Sequence, residues 1–95
     1  MNVAALQQKY GERLRQRVTA VGQAVASRAD GASLSRQFHS IAGLAGTIGF
    51  DHATAVAREG ELLAAEPNAD FDVLSSIVGR LQSAIEGSPA LHHAA

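Results

Sequence analysis

Cysteine is absent from the 95 residues, which excludes a disulfide scaffold and any zinc site built on thiolates. Tryptophan is absent too, and aromatic residues make up only 4% of the chain. A core must therefore be assembled from Leu, Ile, Val and Ala, which favours closely packed helices over a sandwich or barrel. No basic run appears, and 8 basic against 9 acidic residues leave a formal net charge of −1. Neither nucleic acid nor a membrane is expected as a partner. No apolar run approaches membrane-spanning length, and residues 2–20 are dotted with charge instead of forming a leader. The expectation is a cytoplasmic protein of one small domain.

What is present reads as helix. Val3, Leu6, Tyr10, Leu14, Val18, Val21 and Val25 recur at steps of three and four, so a first helix is predicted from Val3 to Arg28. Asn2 is its expected N-cap and Gly31 its stop, with Gly11 marking a bend. A second helix is predicted from Ser33, as N-cap, to Ile48, ending at Gly49. A third follows Asp51, its expected cap, with Ala53, Val56, Gly60 and Leu63 facing inward and Pro67 closing it. The fourth begins near Asp70, turns Phe71, Leu74, Ile77, Val78, Leu81 and Ile85 inward, and ends at Gly87-Ser88-Pro89. No period-two alternation competes with these patterns. Short connections favour antiparallel neighbours. The fold expected is all-α, an antiparallel up-down-up-down four-helix bundle over residues 1–88, with 89–95 a flexible C-terminal tail.

The second helix carries the functional signal. Leu34, Phe38, Ile41, Ala45 and Ile48 fall within an arc of about 80° at helical spacing. His39, Gly43 and Gly46 lie roughly 120–180° from the centre of that stripe. A histidine thus stands on the outer face, and the positions one and two turns beyond it have no side chain. Each glycine costs a helix interior about 1 kcal/mol relative to alanine. Keeping the space around one exposed histidine bare at that cost suggests that something approaches it closely.

The stretch His39-Ser-Ile-Ala-Gly43-Leu-Ala-Gly46-Thr-Ile-Gly49-Phe50, with small and apolar residues and then Glu59 and Glu61 beyond it, resembles the histidine-containing phosphotransfer (HPt) domain of bacterial phosphorelays. The family pattern is a histidine, two residues, a lysine or small residue, then glycine. The likeness is strongest over residues 34–63. It implies a four-helix bundle and a phosphoacceptor histidine at His39. It implies partners too: the receiver domain of a response regulator, and a sensor or hybrid histidine kinase. It further implies a phosphoryl carrier without an ATP site or a cofactor of its own, the Mg²⁺ being supplied by the receiver. A neutral imidazole nitrogen is a competent nucleophile for such a transfer. On this reading Ala42, Gly43, Gly46 and Thr47 form the receiver-docking surface.

Ala42 stands where many members carry lysine and others a small residue, which leaves open what accompanies the phosphoryl charge. Arg36, one turn before His39 on the same side, is the first candidate, and Arg58 on the third helix the second. Two other readings compete: an adaptor of the same fold that never accepts phosphate, and a helical oligomerisation domain whose glycine face packs a second copy. Leu44 lies at the margin of the stripe, as core rim or partner surface. Arg13, Arg15 and Arg17 read as a solvated basic patch, and Glu59 and Glu61 as exposed residues at the rim of the docking surface. His52 is thirteen residues from His39 and lacks a further ligand at matching spacing, so no metal site is expected. His92 and His93 fall in the tail.

Overall fold

A computed structural model describes residues 2–86. They form four helices and no strand: α1 Val3–Ala26, α2 Gly31–Thr47, α3 Asp51–Ala64 and α4 Phe71–Glu86. Each helix packs on its two neighbours, α1 with α2 and α4, and α3 with α2 and α4. This is the closed four-helix bundle that the apolar spacing predicts. The expected domain end at residue 88 and the tail at 89–95 lie outside the described residues.

The core is built from the stripes. Leu14, Val21, Leu34, Phe38, Ile41, Ile48, Leu74 and Leu81 are all fully buried, and each such side chain contributes about 1.5–3 kcal/mol on leaving water. Ala57 and Ala64 join the α3 face, while Leu63 is only half-buried. Small residues there let α3 sit close to its neighbours. At Gly60 the approach is closest: a Cβ would lie 2.7 Å from Phe38 Cδ1 and 3.0 Å from Ile77 Cγ2. Phe38 thus occupies the space that Gly60 leaves.

The helix ends differ from expectation in instructive ways. Asn2 caps α1 as expected, its Oδ1 accepting from the Ala5 N–H at 2.8 Å. Gly11 makes no bend; it is buried within a continuous α1. The stop is not Gly31 but Arg28, which adopts a left-handed φ of 56°, while the Ala29 N–H returns to the Ala24 carbonyl. The Arg28 guanidinium lies 5.0 Å from the centre of the Phe71 ring. Gly31 instead opens α2, where a Cβ would run into the Ala64 carbonyl. Asp30, not Ser33, is the cap, with Oδ1 accepting from the Ser33 N–H at 2.8 Å. At α3 the cap position is Phe50, without a side-chain bond, and Asp51 lies inside the first turn, where its charge suits the helix dipole. Gly49 closes α2 with φ 84°, and Asp70 accepts from the Asp72 and Val73 N–H groups at the start of α4.

Candidate functional site

His39 lies midway along α2, with its side chain 73% exposed. Its ring leans toward α3, where Nδ1 is 2.9 Å from Glu61 Oε2. A carboxylate only accepts, so Nδ1 carries the proton in this pair. In the neutral ring the free lone pair is then on Nε2, which makes no hydrogen bond among the described residues. The pairing follows from the core beneath it. Phe38 fills the space at Gly60, so the next residue on each helix, His39 and Glu61, meets at the surface. A second bond fixes the register, as the Ser35 hydroxyl donates to the Glu61 carbonyl at 3.0 Å.

Around His39 the surface of α2 is low. Gly43 is exposed, and a Cβ there would meet nothing within 4 Å. At Gly46 it would meet the Thr54 side chain at 3.6 Å, an ordinary contact. Neither glycine is demanded by packing inside the chain, unlike Gly60 and Gly31. Thr47 is exposed, its hydroxyl donating to the Gly43 carbonyl at 2.9 Å. Toward α1, Arg17 Nη1 donates to the Ser40 hydroxyl at 2.9 Å, so an arginine is tethered to the residue that adjoins the histidine.

A family model for the Hpt domain matches residues 5–90, nearly the whole chain. The protein belongs to the Hpt domain family. No curated protein and no solved structure gives a significant match. Hpt domains are phosphocarriers in phosphorelays rather than enzymes, and they interact with receiver domains and histidine kinases.

For this Hpt domain, the expected site residues divide. His39, Gly43, Gly46 and Thr47 share one exposed face of α2. Ala42 does not: it is 3% exposed and belongs to the core, which corrects its assignment to the docking surface. It lies about 80° from the centre of the apolar stripe, on the flank that α3 covers. Arg36 and Arg58 are both exposed, with no hydrogen bond or ion pair among the described residues. Arg58 precedes Glu61 by one turn and follows Thr54 by one turn, so it flanks the histidine from α3. Leu44 is half-buried against the core. His52 lines an open groove between α3 and α4 with Ser76, Gly79 and Arg80, away from His39. Glu59 turns to α4 and pairs with Arg80 at 3.0 Å. Glu61 is the residue whose role sequence reasoning missed. Its signal was present only as a family-like position, because nothing local ties it to a histidine 22 residues earlier. Among the described residues, no helix is long and apolar enough to cross a membrane.

Proposed function

We propose that His39 accepts a phosphoryl group on Nε2 and exchanges it with the phospho-accepting aspartate of a receiver domain. The observation that carries this reading is the exposed imidazole with Nδ1 engaged by Glu61 and Nε2 turned free. In the forward step the Nε2 lone pair attacks phosphorus, the bond from phosphorus to the aspartyl oxygen breaks, and the carboxylate departs with that electron pair. The ring keeps its Nδ1 proton and gains positive charge, which the Glu61 carboxylate stabilises. The reverse step returns the phosphoryl group to a carboxylate. Transfer of this kind depends on alignment and charge neutralisation. The chain needs no ATP site for it, and Mg²⁺ belongs to the receiver's acidic site. The low shelf at Gly43 and Gly46 lets the rim of that site come down beside the ring.

The test is transfer of labelled phosphate from receiver domains charged with acetyl phosphate and Mg²⁺, with the modified residue mapped by mass spectrometry. Phosphate on His39 is the expected result; a receiver that binds but leaves no label would favour the adaptor. The same assay separates the supporting residues. Glu61→Ala is expected to slow transfer by about tenfold, the worth of one charge-assisted hydrogen bond in partial solvent. It should also shift the ring ¹⁵N resonances of His39 away from the Nδ1–H tautomer, a change that a merely structural residue would not cause. Arg36→Ala and Arg58→Ala are expected to shorten the lifetime of the phosphohistidine, Arg36 the more. Lifetimes equal to wild type in both variants would remove them from the site.

Gly43 gives a cleaner separation of docking from folding. Gly43→Ala adds a methyl group into open space and is expected to raise stability by about 0.5–1 kcal/mol, measured by urea denaturation. Gly43→Trp is expected to keep the fold and slow transfer, because the added ring stands where the receiver would sit. Unimpaired transfer in the tryptophan variant would place the docking surface elsewhere.

A further inference from the structure

The two flanks of α3 carry different chemistry. One faces α2 and holds the His39–Glu61 pair. The other faces α4 across an open groove of about 660 Å³, lined by His52, Ser76, Gly79, Arg80, Ser83 and Ala84. That room exceeds what a bare ion needs and falls in the range of small-molecule sites. At 100° per residue, Ser76, Arg80 and Ser83 stand within an arc of about 60° on α4, along about 10 Å of its length. His52, in the first turn of α3, completes the lining from the other side of the seam.

Hydrogen-bond donors dominate this groove. The His52 ring and the Ser83 hydroxyl make no hydrogen bond among the described residues. The Ser76 hydroxyl donates to the Asp72 carbonyl at 3.3 Å, which is long for an O–H donor and so is redirected at small cost. Arg80 engages one nitrogen, Nη2, with Glu59 at 3.0 Å. That bond holds the guanidinium at the seam and leaves its remaining N–H groups free. No carboxylate lines the groove: Asp51, Asp72 and Glu86 are exposed on the same two helices but outside the lining, and Glu59 is taken up by Arg80. Two further grooves differ. Each sets Arg15 beside a carboxylate, Glu12 along α1 or Glu86 at the α1–α4 seam, and Arg15 is already paired with Glu12.

Gly79 gives the groove its shape. It lies inside α4, where glycine weakens a helix, and a Cβ there would meet nothing within 4 Å. Packing within the chain gives no reason for it, as at Gly43, and the bare backbone leaves room for something from outside. We propose that the α3–α4 groove binds a small phosphorylated ligand, its phosphate held by Arg80, His52 and Ser83 and the rest of the molecule lying over Gly79 toward Ser76. A guanidinium together with N–H and O–H donors suits the several oxygens of a phosphate, and the lining holds no carboxylate to repel them. Binding is non-covalent, so His52 forms no bond to phosphorus. The site lies apart from His39 and does not depend on the phosphoacceptor reading.

The experiment titrates the full chain, labelled with ¹³C and ¹⁵N, with glycerol 3-phosphate at constant ionic strength and with sodium chloride as the reference. Saturable shifts are expected in the His52 ring and in the amides from Gly79 to Ala84, with half-saturation at about 1–10 mM. Arg80→Gln should weaken binding by about tenfold or more, through loss of a charge-assisted contact. Gly79→Leu removes no charge and favours the helix, and it should abolish binding by filling the shelf. Arg58→Gln removes a charge from the α2 side of α3 and should bind as wild type. Circular dichroism checks folding. Arg80→Gln and Gly79→Leu should still accept phosphate on His39 at the wild-type rate, so loss of this site and loss of the phosphoacceptor are read separately. Shifts that never saturate or that chloride reproduces, or wild-type affinity in Arg80→Gln or Gly79→Leu, would overturn the site. A phosphoserine peptide binding here about tenfold tighter than glycerol 3-phosphate would reassign the groove to a phosphorylated protein partner.

Discussion

Replacing His39 with glutamine is expected to abolish phosphoryl acceptance, by at least about a thousandfold in rate, equivalent to about 4 kcal/mol of transition-state stabilisation. Glutamine matches the size of histidine and can still hydrogen-bond to Glu61. Its amide nitrogen, however, has its lone pair delocalised into the carbonyl and does not attack phosphorus. The side chain at this position is 73% exposed, so the substitution should leave the melting temperature within a degree or two of wild type. Loss of label is then a loss of chemistry and not of structure. His52 is the internal control: it is exposed in the α3–α4 groove, and His52→Gln should accept phosphate at the wild-type rate. Acid-labile, base-stable label surviving in His39→Gln would move the acceptor to another histidine and undo the mechanism drawn from the Glu61 bond.

The second large effect is on the fold. Gly60→Val should destabilise the bundle by about 3 kcal/mol, an overpacking cost at the upper end of its usual range. For a domain of this size that lowers the melting temperature by roughly 15 °C. A Cβ alone already comes within 2.7 Å of Phe38 and 3.0 Å of Ile77, and Phe38 is fully buried with nowhere to retreat. Valine adds two further methyl groups to that contact. Relief has to come from α3 moving away from α2, which also parts Glu61 from His39. Thermal denaturation followed by circular dichroism reads the first consequence and the His39 ring ¹⁵N shifts the second. A melting temperature unchanged by Gly60→Val would mean that α2 and α3 do not pack as described. The contrast with Gly43→Ala is the useful one, because the two glycines have opposite surroundings although both sit within helices.

Much of the bundle is readable along the chain. The steps of three and four that run through α1, α2 and α4 correspond to the buried faces, except at the N-terminal ends, where Val3 is exposed and Leu6, Tyr10 and Phe71 are only partly buried; side-chain direction in a helix is set by local dihedral geometry, but how far a neighbour covers it is not. The same geometry turned His39, Gly43, Gly46 and Thr47 outward before any neighbour was known. The caps were less legible: Asp30 and Ser33 are both good caps, and the choice between them depends on where α2 can begin against the Ala64 carbonyl.

Three features of the site were decided only by tertiary packing. Ala42 is buried because α3 covers that flank of α2, and the periodicity of α2 does not say how far a neighbour wraps around it. Glu61 meets His39 across 22 residues, and Arg17 meets Ser40 across 23. Such pairs depend on the relative register of two helices. That register is set by the fit of Phe38 against Gly60 and by the turn geometry at Arg28 and Gly49, not by any local preference. Helical spacing placed His39 and the bare surface around it; the packing of α3 and α1 against α2 decided which ring nitrogen is left free and brought Arg17 to the neighbouring Ser40.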